Sequence, residues 1–185
     1  MNAKGSGSRG FSAIELIVVL SCIAILSAIV APPISMYVMN RKVRAIEEKL
    51  TAIKAAVEAA QSDLGYYPVD VATGIDPGLR SKENVPASLC KCWKGPYLDA
   101  WPEDSPWGAT FDYERGGCEI FDFDFVAGNE IYLEVEGAFP QNVLDSIDAD
   151  LDDGMHFSGR LRHNGGSRLK YYLGEGPCWT PGGLH

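Results

Sequence analysis

Residues 16–40 carry no charged side chain. Beyond them apolar residues return in a strict four-three alternation at Met39, Val43, Ile46, Leu50, Ile53, Val57, Ala60 and Leu64. The first pattern is apolar on every side of a helix, whereas the second is a single stripe on a helix whose other faces carry Glu47, Glu48, Lys49 and Lys54. At about 1.5 Å per residue the uncharged run makes about 37 Å of helix, enough to cross a hydrocarbon core about 30 Å thick. The stripe stops at Gly65, which favours docking of this second half on the chain's own globular domain, with subunit packing above it. Pro32 and Pro33 each remove a backbone donor, so the helix is expected to kink or loosen there.

After the helix the patterning changes. Gly65 and Pro68 end it, and residues 69–106 are rich in Pro, Gly, Ser and Asp without any sustained period, which reads as a long loop tied down by Cys90 and Cys92. Period-two alternation follows. Phe121, Phe123 and Phe125 oppose Asp122 and Asp124, then Ile131, Leu133 and Val135 oppose Tyr132, Glu134 and Glu136, so each run predicts a strand with one buried face. Residues 160–162 and 169–173 flank Asn164-Gly165-Gly166, a hairpin turn. Tyr171 and Tyr172 alternate, so at most one of them faces the core. The pattern as a whole predicts an α+β fold, a long N-terminal helix packed on a small antiparallel sheet.

The acid-rich run at 147–154 invites a calcium reading. Counted from Asp148, an EF-hand would need glycine where Asp153 stands and glutamate where Gly159 stands. From Pro140, however, Val143 or Leu144, Ile147 and Leu151 fall at helical spacing with Gly154 as a stop, which predicts a short amphipathic helix. Asp150, Asp152 and Asp153 stay as candidate calcium ligands with loop carbonyls. His156, His163 and His185 lie in a polar, glycine-rich tail with no patterned nucleophile or base beside them, so they read as exposed, and nothing in the chain reads as a catalytic constellation. Tyr66, Tyr67, Trp93, Tyr97, Trp101 and Trp107 read as packing that anchors the long loop rather than as a stacking platform.

The formal charge of −9 excludes nucleic-acid binding through a broad basic surface. Of five cysteines, Cys22 lies in the apolar run. In an exported domain the other four, Cys90, Cys92, Cys118 and Cys178, suggest two disulfides. A bridge inside Cys90-Lys91-Cys92 would be a strained ring, which favours pairing each of these with Cys118 or Cys178. Reduced thiols or a zinc site are the alternatives, though the spacing is not the paired C-x-x-C of zinc sites.

Glu15 places a carboxylate at the head of the apolar run, and a charge at membrane depth is expensive unless it is neutralised. A short polar leader ends in Gly10, Phe11 follows, Glu15 is fifth counting from Phe11, and Pro32 interrupts the apolar run. These features resemble the processing site and stem of type IV prepilins and pseudopilins. The resemblance implies a leader at 1–10, cleavage between Gly10 and Phe11 by a membrane-embedded prepilin peptidase, and methylation of the new amine. It further implies a transmembrane assembly helix at 11–38, the amphipathic half of the stem at 39–64 and a periplasmic domain at 65–185. On assembly Glu15 of one subunit would pair with the Phe11 amine of a neighbour.

The stretch from Trp93 to Gly117, with its W-x-GPYL segment and a Pro106-Trp107-Gly108 turn leading into a first strand, is similar to the major pseudopilins of type II secretion systems. It carries one inserted residue at the turn, and beyond Gly117 neither a close match nor that family's glycine-rich calcium loop is recognisable. The function implied is a non-enzymatic, single-pass inner-membrane subunit that polymerises with its own kind and with other pseudopilins on an inner-membrane assembly platform, for protein secretion. The alternatives are a minor pilin of a type IV pilus or DNA-uptake filament, or a membrane-anchored periplasmic binding module.

Overall fold

A computed structural model describes residues 11–103, 105–116 and 129–176; within the first helix the side chains of residues 30–33 are outside that description. The elements are α1 (Ala13–Leu64), a 3-10 turn at Pro106–Gly108, β1 (Thr110–Arg115), β2 (Glu130–Glu136), α2 (Gln141–Leu151), β3 (Leu161–His163) and β4 (Arg168–Glu175). Contacts divide the chain at Arg41/Lys42 into two compact units. Helical backbone is continuous through Pro32 and Pro33, the positions where a kink or loosening is expected.

In the larger unit the apolar stripe is the spine of the core. Ile46, Leu50, Ile53, Val57 and Ala60 are fully buried, with Val43 and Ala56 nearly so. Each such aliphatic side chain contributes about 1.5–3 kcal/mol on leaving water. The helix ends at Gly65, whose φ of 69° is left-handed and whose N–H donates to the Gln61 carbonyl at 2.8 Å, closing the last turn.

The four described strands are antiparallel in the order β1-β2-β4-β3. Phe111 and Tyr113 of β1, Ile131, Leu133 and Val135 of β2, Leu169 and Tyr171 of β4 and Leu161 of β3 are buried. Lys54 of α1 donates to the Tyr171 hydroxyl at 3.4 Å and Lys49 lies 5.9 Å from the Phe111 ring, which puts this face against α1. The 160–173 hairpin forms as predicted, with Leu161 opposite Tyr171. Tyr172 turns to the other face and is buried too, in a small second cluster with Tyr132. The predicted helix after Pro140 also forms: Val143, Leu144 and Ile147 of α2 are buried. The strand expected at 118–127 lies outside the described residues.

Hydrogen bonds hold the long loop. The Asp76 carboxylate accepts from the N–H groups of Leu79, Arg80 and Ser81, and Leu79 is fully buried. The Trp93 indole N–H donates to the Gly78 carbonyl at 2.8 Å. Gly95 packs under that indole so closely that a Cβ there would lie 2.6 Å from the ring, which requires glycine in the W-x-GPYL segment. Lys94 and the Tyr97 hydroxyl both reach Asp63 in the last turn of α1, at 2.6 and 3.1 Å, and Lys94 holds the Asp63 carboxyl below its usual range.

Ile53→Ala removes a fully buried side chain from the centre of the stripe and is expected to destabilise the domain by about 2–5 kcal/mol in denaturant unfolding, while the exposed Glu58→Ala leaves the midpoint within about 0.5 kcal/mol.

Candidate functional site

The amino-terminal half of α1 presents apolar side chains on all sides. Its most apolar 18-residue window has a mean hydropathy of 2.7 with none of it buried, which is long and apolar enough to cross a membrane. Phe11 stands 85% exposed at its head. Within the run the Ser21 hydroxyl donates to the Ile17 carbonyl at 2.8 Å, so that polar group is satisfied inside its own helix. Arg41 lies 5.8 Å from the Tyr37 ring, the pairing of a cation with an amphipathic aromatic that suits a membrane interface.

Glu15 has a local role that the sequence reading missed. The Ser12 backbone N–H donates to Glu15 Oε2 at 2.8 Å while the Ser12 carbonyl accepts the first helical bond from Leu16. Ser12-Ala13-Ile14-Glu15 therefore uses the S-x-x-E capping spacing, with the glutamate satisfying a donor its helix would otherwise orphan. The signal was in the sequence as that four-residue spacing. Gly10 lies outside the described residues.

Among the described residues Cys22, Cys90 and Cys92 form no disulfide with one another, and Cys90 Sγ lies 3.5 Å from the Val85 carbonyl. Cys118 and Cys178 are outside the described residues, and with them the expected pairing. Trp107, in the turn before β1, adopts a φ of 60°, which is rare for a residue with a side chain. Its ring rests on Phe139 at 5.7 Å and Lys42 lies 5.5 Å from the ring centroid.

The acid-rich segment is arranged differently from expectation. Asp150 faces Glu47 of α1 in a carboxyl pair, and burial with that neighbour raises the Glu47 pKa. Asp152 and Asp153 instead group with Asp148, their carboxylate oxygens all within 4.8 Å of one another. Asp152 Oδ2 accepts from the N–H groups of Arg160 and Leu161 at 2.5 and 2.9 Å, and a Cβ on Gly159 would overlap that carboxylate. Asp153 accepts from the Met155 N–H at 2.9 Å and the Ser158 hydroxyl at 2.7 Å.

His163, expected to be exposed, is buried, because the alternation of β3 turns Leu161 and His163 inward together. It faces Asp145 and Asp148 of α2, with His156 beside it. Burial holds the His163 pKa below its usual value and, with Asp153 and Asp152, lifts that of Asp148 to about 6. The sequence clue was the two-residue step from Leu161 to His163. His185 is outside the described residues.

On the opposite face of the sheet Glu134 meets Lys170 at 3.0 Å and Arg168 at 3.4 Å. Among the described residues Glu114, next to this ladder, has no such ion pair. Burial, then Asp70, Asp112 and Glu134, push its pKa from the ordinary 4.5 to about 7.

Against known proteins, the model for the family described as type II secretion system (T2SS), protein G matches residues 35–130, just over half of the chain. The matched stretch runs from the end of the apolar segment through the docked stripe, the long loop and β1 to the first residue of β2. No curated protein and no solved structure matches the chain.

A carboxyl whose folded pKa is raised binds its proton more tightly in the folded state, so its stabilising contribution is complete below about 4.5 and is lost as pH rises through about 7. The thermal midpoint of Glu114→Gln should thus match the parent at pH 4 and exceed it at pH 8, a divergence read by melting both proteins across that range.

Proposed function

We propose that this chain, which belongs to the type II secretion system protein G family, is synthesised with a leader of ten residues that is cut before Phe11, and that the mature subunit polymerises through its amino-terminal helix. A subunit of this family is a structural pseudopilin of a secretion system and not an enzyme. In this reading residues 11–38 are the single membrane span and assembly surface, and the domain from residue 65 lies in the periplasm with Cys90, Cys92, Cys118 and Cys178 as its disulfide candidates. The partners are further copies of the chain, other pseudopilins, the prepilin peptidase and the inner-membrane assembly platform.

The observation that supports this most strongly is an apolar helix bare on all sides with one carboxylate at its head. In lipid such a helix gains little from apolar contacts with a second one, since lipid tails are equally apolar, so a polar pair has to set register. Cleavage would create an ammonium on Phe11. Glu15 lies one turn away and already accepts a backbone N–H, so a neighbour's amine would replace or join the Ser12 donor, and two charges costly singly in lipid would neutralise each other on assembly.

Co-expression with a prepilin peptidase is expected to shorten the chain by ten residues and leave Phe11 at the new terminus, read by intact mass and terminal sequencing. Protein that keeps its leader would support the membrane-anchored binding module instead. Glu15→Leu should leave the domain folded and abolish incorporation into filaments; assembly at the parent level would refute the pairing.

A further inference from the structure

Between α2 and β3 three side chains suited to a borderline divalent metal, Asp145, His156 and His163, bring their ligand atoms together, and the buried Asp148 carboxylate lies 3.9 Å from one of them. Asp145 and Asp148 are three apart on α2 and share one helical face. His156 follows in the loop, and the His163 N–H donates to the His156 carbonyl at 3.1 Å, tying the two histidine backbones together. Nε2 of His163 lies 3.5 Å from Oδ1 of Asp145 and 3.9 Å from Oδ2 of Asp148. Ligand atoms of Asp145, His156 and His163 are all within 4.8 Å of one another. A tetrahedral zinc ion with bonds of about 2.0–2.1 Å sets its ligand atoms about 3.4 Å apart, so the two closest pairs are at that spacing or about half an ångström wider.

The side chains of His163 and Asp148 are 0% exposed, yet His163 Nε2 and both Asp148 oxygens have no hydrogen-bond partner. A buried polar atom left so forfeits its hydration without recompense, and a cation held between Nε2 and the Asp148 carboxylate would relieve both groups. The adjoining acids are already engaged: Asp152 and Asp153 accept from Arg160, Leu161, Met155 and Ser158 and hold the loop. Calcium takes six to eight oxygens, whereas half the donors here are imidazoles, which suit zinc and its neighbours.

We propose that Asp145, His156 and His163, with the buried Asp148 carboxylate drawn in from 3.9 Å as the fourth ligand, form a binding site for a zinc-class divalent cation that staples α2 to the following loop and to β3. Coordination through Nε2 puts the His163 ring proton on Nδ1. The long 3.3 Å bond that Nδ1 accepts from the Gly165 N–H then opens, and that half-exposed turn residue takes water instead. Entry is from the open depression lined by Gly154, Met155, His156, Phe157 and Ser158.

The test uses the full untagged chain in detergent, its thiols blocked with N-ethylmaleimide and its metal stripped by chelator. Titration with zinc should show one equivalent bound, and cobalt should develop the visible bands of a four-coordinate site. His156→Ala and Asp145→Asn, at exposed or half-exposed positions that leave the circular dichroism unchanged, should each weaken zinc by about tenfold or more. No zinc uptake, or equal uptake by both variants, overturns the proposal. Saturable calcium binding without zinc binding overturns it as well and assigns the ion to Asp148, Asp152 and Asp153.

Discussion

One helix faces two solvents, and the rest of the molecule follows from how its side chains divide between them. From Val43 to Ala60 the stripe on α1 is buried in the core of the larger unit, facing the sheet. In its amino-terminal half the same helix carries a window of 18 residues, none of it buried, with a mean hydropathy of 2.7. Water tolerates the first half poorly and a bilayer accepts it, so a single sequence change in character, near residue 40, separates an anchor from a fold.

At the two ends of this helix, carboxylates do different work. Asp63 in the last turn receives Lys94 and Tyr97 and so fixes the W-x-GPYL segment to the end of the stripe. Glu15 in the first turn caps the helix it belongs to. That capping bond is also why the proposed pairing with a neighbour is an exchange of one donor for another. Glu15 is pre-positioned at the helix head by its own backbone, which limits the side-chain entropy that pairing would cost.

The family match stops at residue 130, but the core does not. β2 joins β1 on one side and β4 on the other, and Leu133 and Val135 lie between residues of both, so the part outside the match completes the sheet on which the helix docks. This same part holds the buried carboxyl and imidazole groups. A divergent sequence with a shared core position has freedom in its loops, and the segment after α2 has used that freedom to bring Asp148 and His163 out of water side by side.

Sequence periodicity alone determined the elements whose side chains repeat: the stripe at 43–60, the alternation of Ile131, Leu133 and Val135, the helix after Pro140 and the Asn164-Gly165 hairpin all stand where their spacing put them. Periodicity reports which face is apolar, and burial of that face is what folds a chain. It was silent on groups whose state depends on what lies across the core. Asp150 was paired by spacing with Asp152 and Asp153, but the helix turns it toward Glu47 and brings Asp148 to the others instead. His163 looked exposed in a polar tail and is buried because a three-residue strand, paired with β4, faces it inward. Local pattern decides which residues leave water; only the tertiary structure decides which of them leave it together.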